Sequence, residues 1–177
     1  NIVKKLFRRF CLSLSSFSPG LILFLFTIDI FPSQEELISS FFKVIGLFLL
    51  MIFTSFFILF LLKKQQSDDT AKIVSIQPVE NEVIPTYLGL FVIVIGLGGL
   101  TLFYQIVILI FLFLIWLILM EKSYYFNLLW LFAYRYYKVS DPNGNIYIIY
   151  SKRKDFKEPG EFKKLIRINN FTFLEKD

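Results

Sequence analysis

Long runs without a charged residue fill the first two thirds of the chain. Residues 10–28 and 44–62 are uncharged, and residues 83–120 continue without a charge for 38 positions. An α-helix rises about 1.5 Å per residue, so roughly 20 residues cross a hydrocarbon core about 30 Å thick. A single helix of the third run would reach about 57 Å, which two spans explain better. The pattern predicts four transmembrane helices, at about residues 10–31, 42–62, 84–98 and 101–120.

The first span contains residues that are unusual in a membrane helix. Four serines occupy its first half, and Pro19 is expected to kink it. Serine hydroxyls in a span can donate to the backbone or to a neighbouring helix. Pro32 is expected to end this helix, and Ser33 with Glu36 has the spacing of a capping box for the next one. The serines concerned are Ser13, Ser15, Ser16 and Ser18.

Two further connections follow from turn-forming residues. Leu97–Gln105 holds two glycines and is the predicted turn between the third and fourth spans, and Pro85 suits the first turn of the third helix. The loop at residues 63–83 starts with a flexible polar run. Its second half predicts a short strand before Pro78.

The pattern changes again after residue 120. Glu121–Phe132 is aromatic and predicts a helical extension along the membrane interface. Tyr134–Ser140 and Asn145–Ser151 alternate with a period of two around Asp141–Gly144, which predicts a β-hairpin. Leu165–Leu174 predicts a third strand.

Together these elements predict an all-α membrane fold with an added tail. Residues 1–120 form a four-helix transmembrane bundle, and residues 121–177 form a small cytoplasmic α+β tail domain with a short antiparallel β-meander. A three-stranded meander is marginal alone. We therefore expect it to pack on the loop strand near Ile73–Ile76, on a neighbouring subunit or on a partner. An exposed sheet edge invites pairing with another chain.

Basic residues indicate the orientation. Four Lys or Arg precede the first span, three lie in the loop at 63–83 and eleven lie in the tail. The first connection and the turn between the last two spans hold none. Positively charged segments remain on the cytoplasmic side. Four spans place all of these segments on that side, so both termini are predicted to be cytoplasmic.

Composition excludes several kinds of chemistry. The chain has no His and one Cys, Cys11, which excludes a Cys/His metal site, a disulfide within the chain and a Ser–His or Cys–His dyad. No Gly-rich phosphate loop or paired-carboxylate cleft is present in the sequence. The chain is therefore predicted not to be an enzyme, with no catalytic, cofactor-binding or metal-binding residue.

Two sets of residues in the spans suggest specific roles. Asp29 and Lys43 flank the first connection and could form an intramembrane ion pair, but we favour both extending to the outer interface. Gly89, Gly96 and Gly99 fall near one helical face, where small residues allow close helix packing. The packing could be within the bundle or between subunits.

The loop and the tail together form the predicted docking surface for a soluble partner. The run Lys152–Lys154 could contact nucleic acid, anionic lipid or a protein, and we favour membrane lipid over nucleic acid. No direct nucleic-acid binding is expected. The residues predicted at the docking surface are Lys152, Arg153, Lys154, Tyr136, Tyr150, Ile76, Glu80 and Glu82.

The stretch Pro78–Phe91 (PVENEVIPTYLGLF), together with the order of the spans, resembles KwaA, the membrane subunit of the bacterial Kiwa anti-phage defence system. The resemblance covers nearly the whole chain. It implies a sensor of phage attack in the bacterial inner membrane and a homo-oligomer, which we take to be a tetramer. It also implies binding of a soluble cytoplasmic effector, KwaB, which handles DNA. The resemblance implies no catalytic residue and no cofactor.

Two other functions compete with a sensor and anchor. A small oligomeric channel or transporter would need polar residues along a pore, and these are sparse: Ser13, Ser16, Thr54 and Ser55. A membrane enzyme would need a nucleophile, a metal site or an acid–base pair, none of which is recognisable in the sequence. Identification of proteins that co-purify in mild detergent would discriminate best between these functions.

Overall fold

A computed structural model describes residues 2–28, 37–66, 69–154 and 160–176. Its four long helices are α1 (Ile2–Thr27), α2 (Leu37–Lys63), α3 (Glu80–Gly96) and α4 (Leu102–Lys122). Each is long and apolar enough to cross a membrane. The prediction of four long apolar helices is therefore confirmed. The N-terminal end of α1 and the C-terminal sheet meet at the same end of the bundle, where Arg8 donates a hydrogen bond to the carbonyl oxygen of Arg167.

Helix α1 begins at Ile2 rather than near residue 10, so its basic cluster lies on the helix itself. The helix runs through Pro19, whose missing N–H would have bonded to the carbonyl oxygen of Ser15. The Ser18 hydroxyl donates to that oxygen instead, at 2.7 Å. Asp29 and the predicted helix-ending and capping residues, Pro32, Ser33 and Glu36, lie outside the described residues.

Helix α3 begins earlier than predicted. Glu80 is its first residue, so Pro85 is the sixth residue and not part of the first turn. The placement of Pro85 in that turn was wrong. Acidic residues favour a helix N-terminus, and Glu80 and Glu82 occupy this one.

The predicted turn between the third and fourth spans is confirmed. Leu97–Gly99 forms a short 3₁₀ helix, and α4 begins at Leu102. The buried Gln105 side chain donates to the carbonyl oxygens of Leu97, at 3.0 Å, and Leu100, at 2.9 Å. This amide gives the Leu100 carbonyl a donor and adds a second donor to the Leu97 carbonyl, which also accepts the N–H of Leu100 at 2.9 Å.

Helix α1 occupies the centre of the bundle. Each of the other three helices packs against α1. Half of the most apolar stretch of α1 is buried, against 17% for α2, 28% for α3 and 11% for α4. At Gly20 a Cβ atom would lie 2.8 Å from Cδ2 of Leu90, so this glycine allows α1 and α3 to approach closely.

A six-stranded sheet covers one end of the bundle. Its order is β1-β5-β6-β4-β3-β2, with β4 and β6 parallel and the other pairs antiparallel. The predicted hairpin is confirmed, since β3 and β4 pair across a turn in which Gly144 has a φ of +82°. The strands are β1 (Asp69–Ile73), β2 (Ser75–Pro78), β3 (Arg135–Ser140), β4 (Ile146–Ser151), β5 (Gly160–Arg167) and β6 (Thr172–Glu175).

The prediction of a three-stranded antiparallel meander was wrong. Its third strand, Leu165–Leu174, is divided into β5 and β6 by a turn at Asn169. The Asn169 side chain accepts a hydrogen bond from the N–H of Phe171 at 3.0 Å, and Ile168 donates its N–H to the Thr172 carbonyl at 2.9 Å. Asparagine side chains bond to nearby backbone in this way and favour turns over strands.

The loop between α2 and α3 supplies both outer strands of the sheet. Strands β1 and β2 are separated by Val74 alone, so the sheet curls until its two edges are joined through one residue. Of the three predicted ways to support the tail, packing on the loop strand is the one that the structure shows. The edges are short, and β2 ends in Pro78, which cannot donate to another strand. These features make the edges poorer templates for another strand, and pairing with another chain stays a prediction.

Candidate functional site

The segment that leaves α4 enters the space between the helices and the sheet. Residues 124–127 have no regular secondary structure, and Leu128–Phe132 is a 3₁₀ helix. The prediction of an interfacial helix was wrong here, because Tyr125, Asn127 and Trp130 are almost completely buried. We call residues 124–131 the junction segment.

Asn127 lies at the centre of this segment and has no exposed surface. Its amide nitrogen lies 3.0 Å from the Ser15 hydroxyl of α1 and 3.4 Å from the Ser55 hydroxyl of α2. Its amide oxygen accepts the N–H of Leu129 at 3.0 Å, which caps the 3₁₀ helix. One side chain thus joins two membrane helices to the segment that leads into the sheet.

Tyrosine hydroxyls connect the junction segment to α1 and to the sheet. Tyr125 donates its hydroxyl hydrogen to the Leu12 carbonyl of α1 at 3.0 Å. Its carbonyl oxygen lies 3.3 Å from the hydroxyl of Tyr136 and 3.4 Å from that of Tyr150. Its N–H donates to the Thr172 hydroxyl at 2.8 Å. Burial raises the pKa of Tyr125, Tyr136 and Tyr150, so these phenols remain protonated.

A second group of bonds joins α3 and α4 to the same segment. The Tyr87 hydroxyl of α3 donates to the Ser16 carbonyl at 2.6 Å and accepts the N–H of Leu128 at 3.2 Å. The Ser16 hydroxyl donates to the Phe126 carbonyl and lies 3.3 Å from Nε1 of Trp116 on α4. All four helices therefore contribute to one buried polar network.

Trp130 fills the space beside this network. Its ring packs on Tyr125 and Tyr150 with centroids 5.2 and 5.3 Å away, and its Nε1 donates to the Ser55 carbonyl at 3.3 Å. A buried polar network with its donors and acceptors paired specifies one arrangement of the groups that it joins. A rotation of the sheet relative to the helices would have to break these bonds.

Ion pairs surround the buried network at the same end of the bundle. They are exposed or half-exposed, and such pairs contribute little to stability individually. They do connect each of α1 and α3 to a later part of the chain. The pairs are Arg9 with Glu121, Glu80 with Arg135, and Glu82 with Lys138.

Two of the predicted docking residues are in the core. Tyr136 is 3% exposed and Tyr150 has no exposed surface, because both project from the sheet toward the bundle. Their assignment to a docking surface was wrong. Alternation predicted that both lie on strands, but it could not show which face of the sheet the helices cover.

The other predicted docking residues lie at or near the surface. Ile76 is half-buried on β2, and Glu82 is exposed beside Lys138. In the basic run, Lys152 and Lys154 are exposed.

Arg153 and Glu80 are partly held by contacts within the chain. Arg153 pairs with Glu175, and its guanidinium lies 4.9 Å from the centroid of the Phe162 ring. Glu80 pairs with Arg135. These two side chains stabilise the sheet and its contact with α3, so they are poorer candidates for docking than their neighbours.

The predicted packing glycines do not contact other helices within the described part of this chain. Gly89, Gly96 and Gly99 are exposed, and a Cβ atom at each would meet nothing within 4 Å. These glycines therefore do not serve helix packing within one bundle. Packing between subunits stays a prediction.

Sequence reasoning identified part of the buried network. The serines of α1 were expected to bond to the backbone or to neighbouring helices, and Ser15 and Ser16 do so. It missed Asn127 and Tyr87. A signal existed for Asn127, since an amide inside an aromatic segment is unusual, but no pattern indicated its partners.

A family model described as anti-phage protein KwaA matches residues 8–174 of the chain. The match spans all four helices and reaches into the last strand, so the chain belongs to the KwaA anti-phage protein family. The resemblance based on the span order and Pro78–Phe91 is confirmed. No curated protein and no solved structure matches the chain.

Proposed function

We propose that this member of the KwaA family is a membrane-embedded sensor and anchor that recruits a soluble, DNA-binding effector when phage attack the cell. The family assigns the chain to anti-phage defence, and four apolar helices long enough to span a bilayer indicate a membrane protein. The observation that carries the proposal is the buried polar network around Asn127. It joins all four helices to the sheet, so a displacement of the helices would be transmitted to the surface outside the bilayer.

The sheet faces the cytoplasm in this proposal, and the membrane is the bacterial inner membrane. The end of the bundle that carries the sheet also carries the basic ends of α1, α2 and α4. Positive residues favour the cytoplasmic side. A reporter fused after residue 177 should be active only in a cytoplasmic format, and activity in an extracytoplasmic format would contradict this orientation.

The docking surface lies near Glu82 of α3 and the exposed ends of the run Lys152–Lys154, and includes the exposed part of Ile76, which is half-buried against the apolar cluster inside the curled sheet. These positions offer an apolar strand residue and charges of both signs, and charge complementarity steers association and selects partners. The partner is a cytoplasmic effector similar to KwaB. Direct contact of this chain with nucleic acid is not required.

Reversal of surface charge tests the docking surface. The double substitution Lys152→Glu and Lys154→Glu should abolish co-purification of the effector in mild detergent while membrane insertion is retained. Lys163→Glu with Lys164→Glu makes the same charge change on β5 and should leave co-purification intact. Equal retention by both doubles would contradict the assignment. Deletion of the last three strands is a poor test, because it would expose the Trp130 and Tyr125 side chains.

Self-association completes the proposal. Helices α2 and α4 leave most of their apolar surface uncovered by this chain, and the glycine face of α3 is open. These faces can meet lipid or other copies, and a homotetramer would cover part of them. Gly96→Leu should reduce the assembly size in detergent. An unchanged assembly would exclude this face as a subunit contact.

A further inference from the structure

A groove of about 680 Å³ runs between α1 and α2, starting at the end of the bundle that carries the sheet. Along α1 its lining extends from Lys4 to Ser18, and along α2 from Gln65 back to Thr54. At about 1.5 Å per residue these stretches cover roughly 17–21 Å. One leaflet with its head-group region is roughly 20–22 Å thick, half of the about 40–45 Å of a whole bilayer, so the groove is about as deep as one leaflet.

The lining changes character along the groove. Its mouth carries the cations Lys4 and Arg8, and most of its length is apolar. The far end includes the hydroxyls of Ser18 and Thr54, which bond to carbonyls of their own helices. The described residues that line it include no Asp or Glu. A positive mouth above an apolar cleft at the membrane interface matches an anionic head group followed by an acyl chain.

The position of Arg8 adds a second observation. One of its nitrogens donates to the carbonyl oxygens of Arg167 and Ile168, which holds the side chain against β5. Its Nε is buried and has no hydrogen-bond partner among the described residues. An unpaired buried donor is unfavourable. A phosphate oxygen at the mouth of the groove would offer an acceptor that the described residues do not provide.

We propose that the groove between α1 and α2 binds an anionic phospholipid, with its phosphate against Lys4 and Arg8 and an acyl chain along Phe57 and Leu61. Guanidinium groups bind phosphate through paired N–H donors, and basic pockets between membrane helices recognise lipid head groups. Because Arg8 also bonds to β5, the bound lipid would lie directly beside the contact between the sheet and the bundle.

The single cysteine of the chain gives a direct test, because Cys11 lines this groove. The full-length protein in detergent is alkylated with an apolar maleimide while phosphatidylglycerol, phosphatidylcholine or inorganic phosphate is added. Phosphatidylglycerol should slow the labelling of Cys11 at a lower concentration than phosphatidylcholine. Inorganic phosphate should leave the rate unchanged, because it cannot fill the apolar part of the groove.

Matched variants locate the head group. Lys4→Gln and Arg8→Gln should each raise the concentration of phosphatidylglycerol needed for protection by about fivefold, the equivalent of about 1 kcal/mol per charge. Lys163→Gln removes one exposed charge on β5 and should change nothing. Lys4 is exposed, so its variant keeps the test available if Arg8→Gln does not fold.

Three results would overturn the proposal. Equal protection by phosphatidylcholine would mean a groove without head-group selectivity, and protection by inorganic phosphate would mean a free-anion site. Labelling that slows with protein concentration in the absence of lipid would mean that a second copy of the chain fills the groove.

Discussion

Helices α1 and α4 have opposite environments, although both are long enough to cross a bilayer. The most apolar stretch of α1 has a mean hydropathy of 1.7 and is 50% buried, whereas that of α4 has a mean hydropathy of 2.9 and is 11% buried. The less hydrophobic helix is therefore the central one. In a bilayer an apolar side chain gains little by leaving lipid for a neighbouring helix, but a serine gains a hydrogen-bond partner. Polarity, rather than hydrophobicity, identifies the inner helix.

Raising the pH should lower the free energy of unfolding, because it ionises the buried tyrosines between α1 and the sheet. This is the largest effect that we expect. The pKa of Tyr125, Tyr136 and Tyr150 is raised by burial, so these phenols stay protonated in the folded chain. Their contribution to stability is complete below the unfolded pKa near 10 and is lost as pH rises through the higher folded values. The loss is up to about 1.4 kcal/mol per pH unit for each tyrosine. Thermal unfolding in detergent should show a falling midpoint only above about pH 10, and a constant midpoint one unit higher would contradict it.

Asn127→Ala should remove the contact that joins α1 and α2 to the junction segment. It leaves the Ser15 and Ser55 hydroxyls with fewer partners and the Leu129 N–H without its acceptor. Unpaired buried groups cost about 1–3 kcal/mol each, so the free energy of unfolding should fall by roughly 2–4 kcal/mol. Asn143→Ala, in the exposed β3–β4 turn, should be nearly neutral. Similar denaturation midpoints for the two variants would exclude the assigned role of Asn127.

Gly20→Leu tests whether close packing between α1 and α3 stabilises the central position of α1. Its Cβ atom would lie 2.8 Å from Leu90, and the larger side chain would separate α1 from α3. Overpacking of this kind costs about 1–3 kcal/mol. Gly46→Leu, on α2, meets nothing within 4 Å of its Cβ and serves as the control. Thermal stability in detergent should fall for Gly20→Leu alone, and equal stability of the two variants would contradict a close α1–α3 contact at Gly20.

Ser16→Ala compared with Thr54→Ala gives the smallest expected difference. The Ser16 hydroxyl bonds to the junction segment and to Trp116, while the Thr54 hydroxyl, within the described part of the chain, donates to the carbonyls of Leu50 and Met51 on its own helix. Loss of Ser16 should cost about 1 kcal/mol, and loss of Thr54 should be close to neutral. The comparison measures whether hydroxyls on α1 stabilise the tertiary fold. Equal stability of the two variants would argue against it.

Much of the architecture could be predicted from local pattern. The uncharged runs predicted four apolar helices, Leu97–Gln105 was recognised as a turn, and the β3–β4 hairpin followed from Asp141–Gly144. Each of these depends on neighbouring residues: helix length on the thickness of a bilayer, and the hairpin on a glycine that adopts positive φ. The exceptions are also informative. Pro85 was predicted in the first turn of α3 but is its sixth residue, because the pattern did not show that the helix starts at Glu80.

The candidate site was predicted less completely. The serines of α1 were expected to bond to other groups, but Tyr136 and Tyr150 were assigned to the surface although they are buried against the bundle. Strand alternation shows which residues share a face and not what covers it. The partners of Asn127 are about 70 to 110 positions away in the sequence, and no local rule connects them.

The sequence by itself determined the number of apolar helices, the turn between α3 and α4 and the family to which the chain belongs. These follow from composition and spacing, since the lengths needed to cross a bilayer and the residues needed to turn a chain are set locally. Only the tertiary structure decided that α1 lies at the centre, that the loop closes the curled sheet, and that Asn127 joins the helices to it. The physical reason is that buried polar groups must find partners, and in this chain those partners come from four helices and three strands that are distant in sequence.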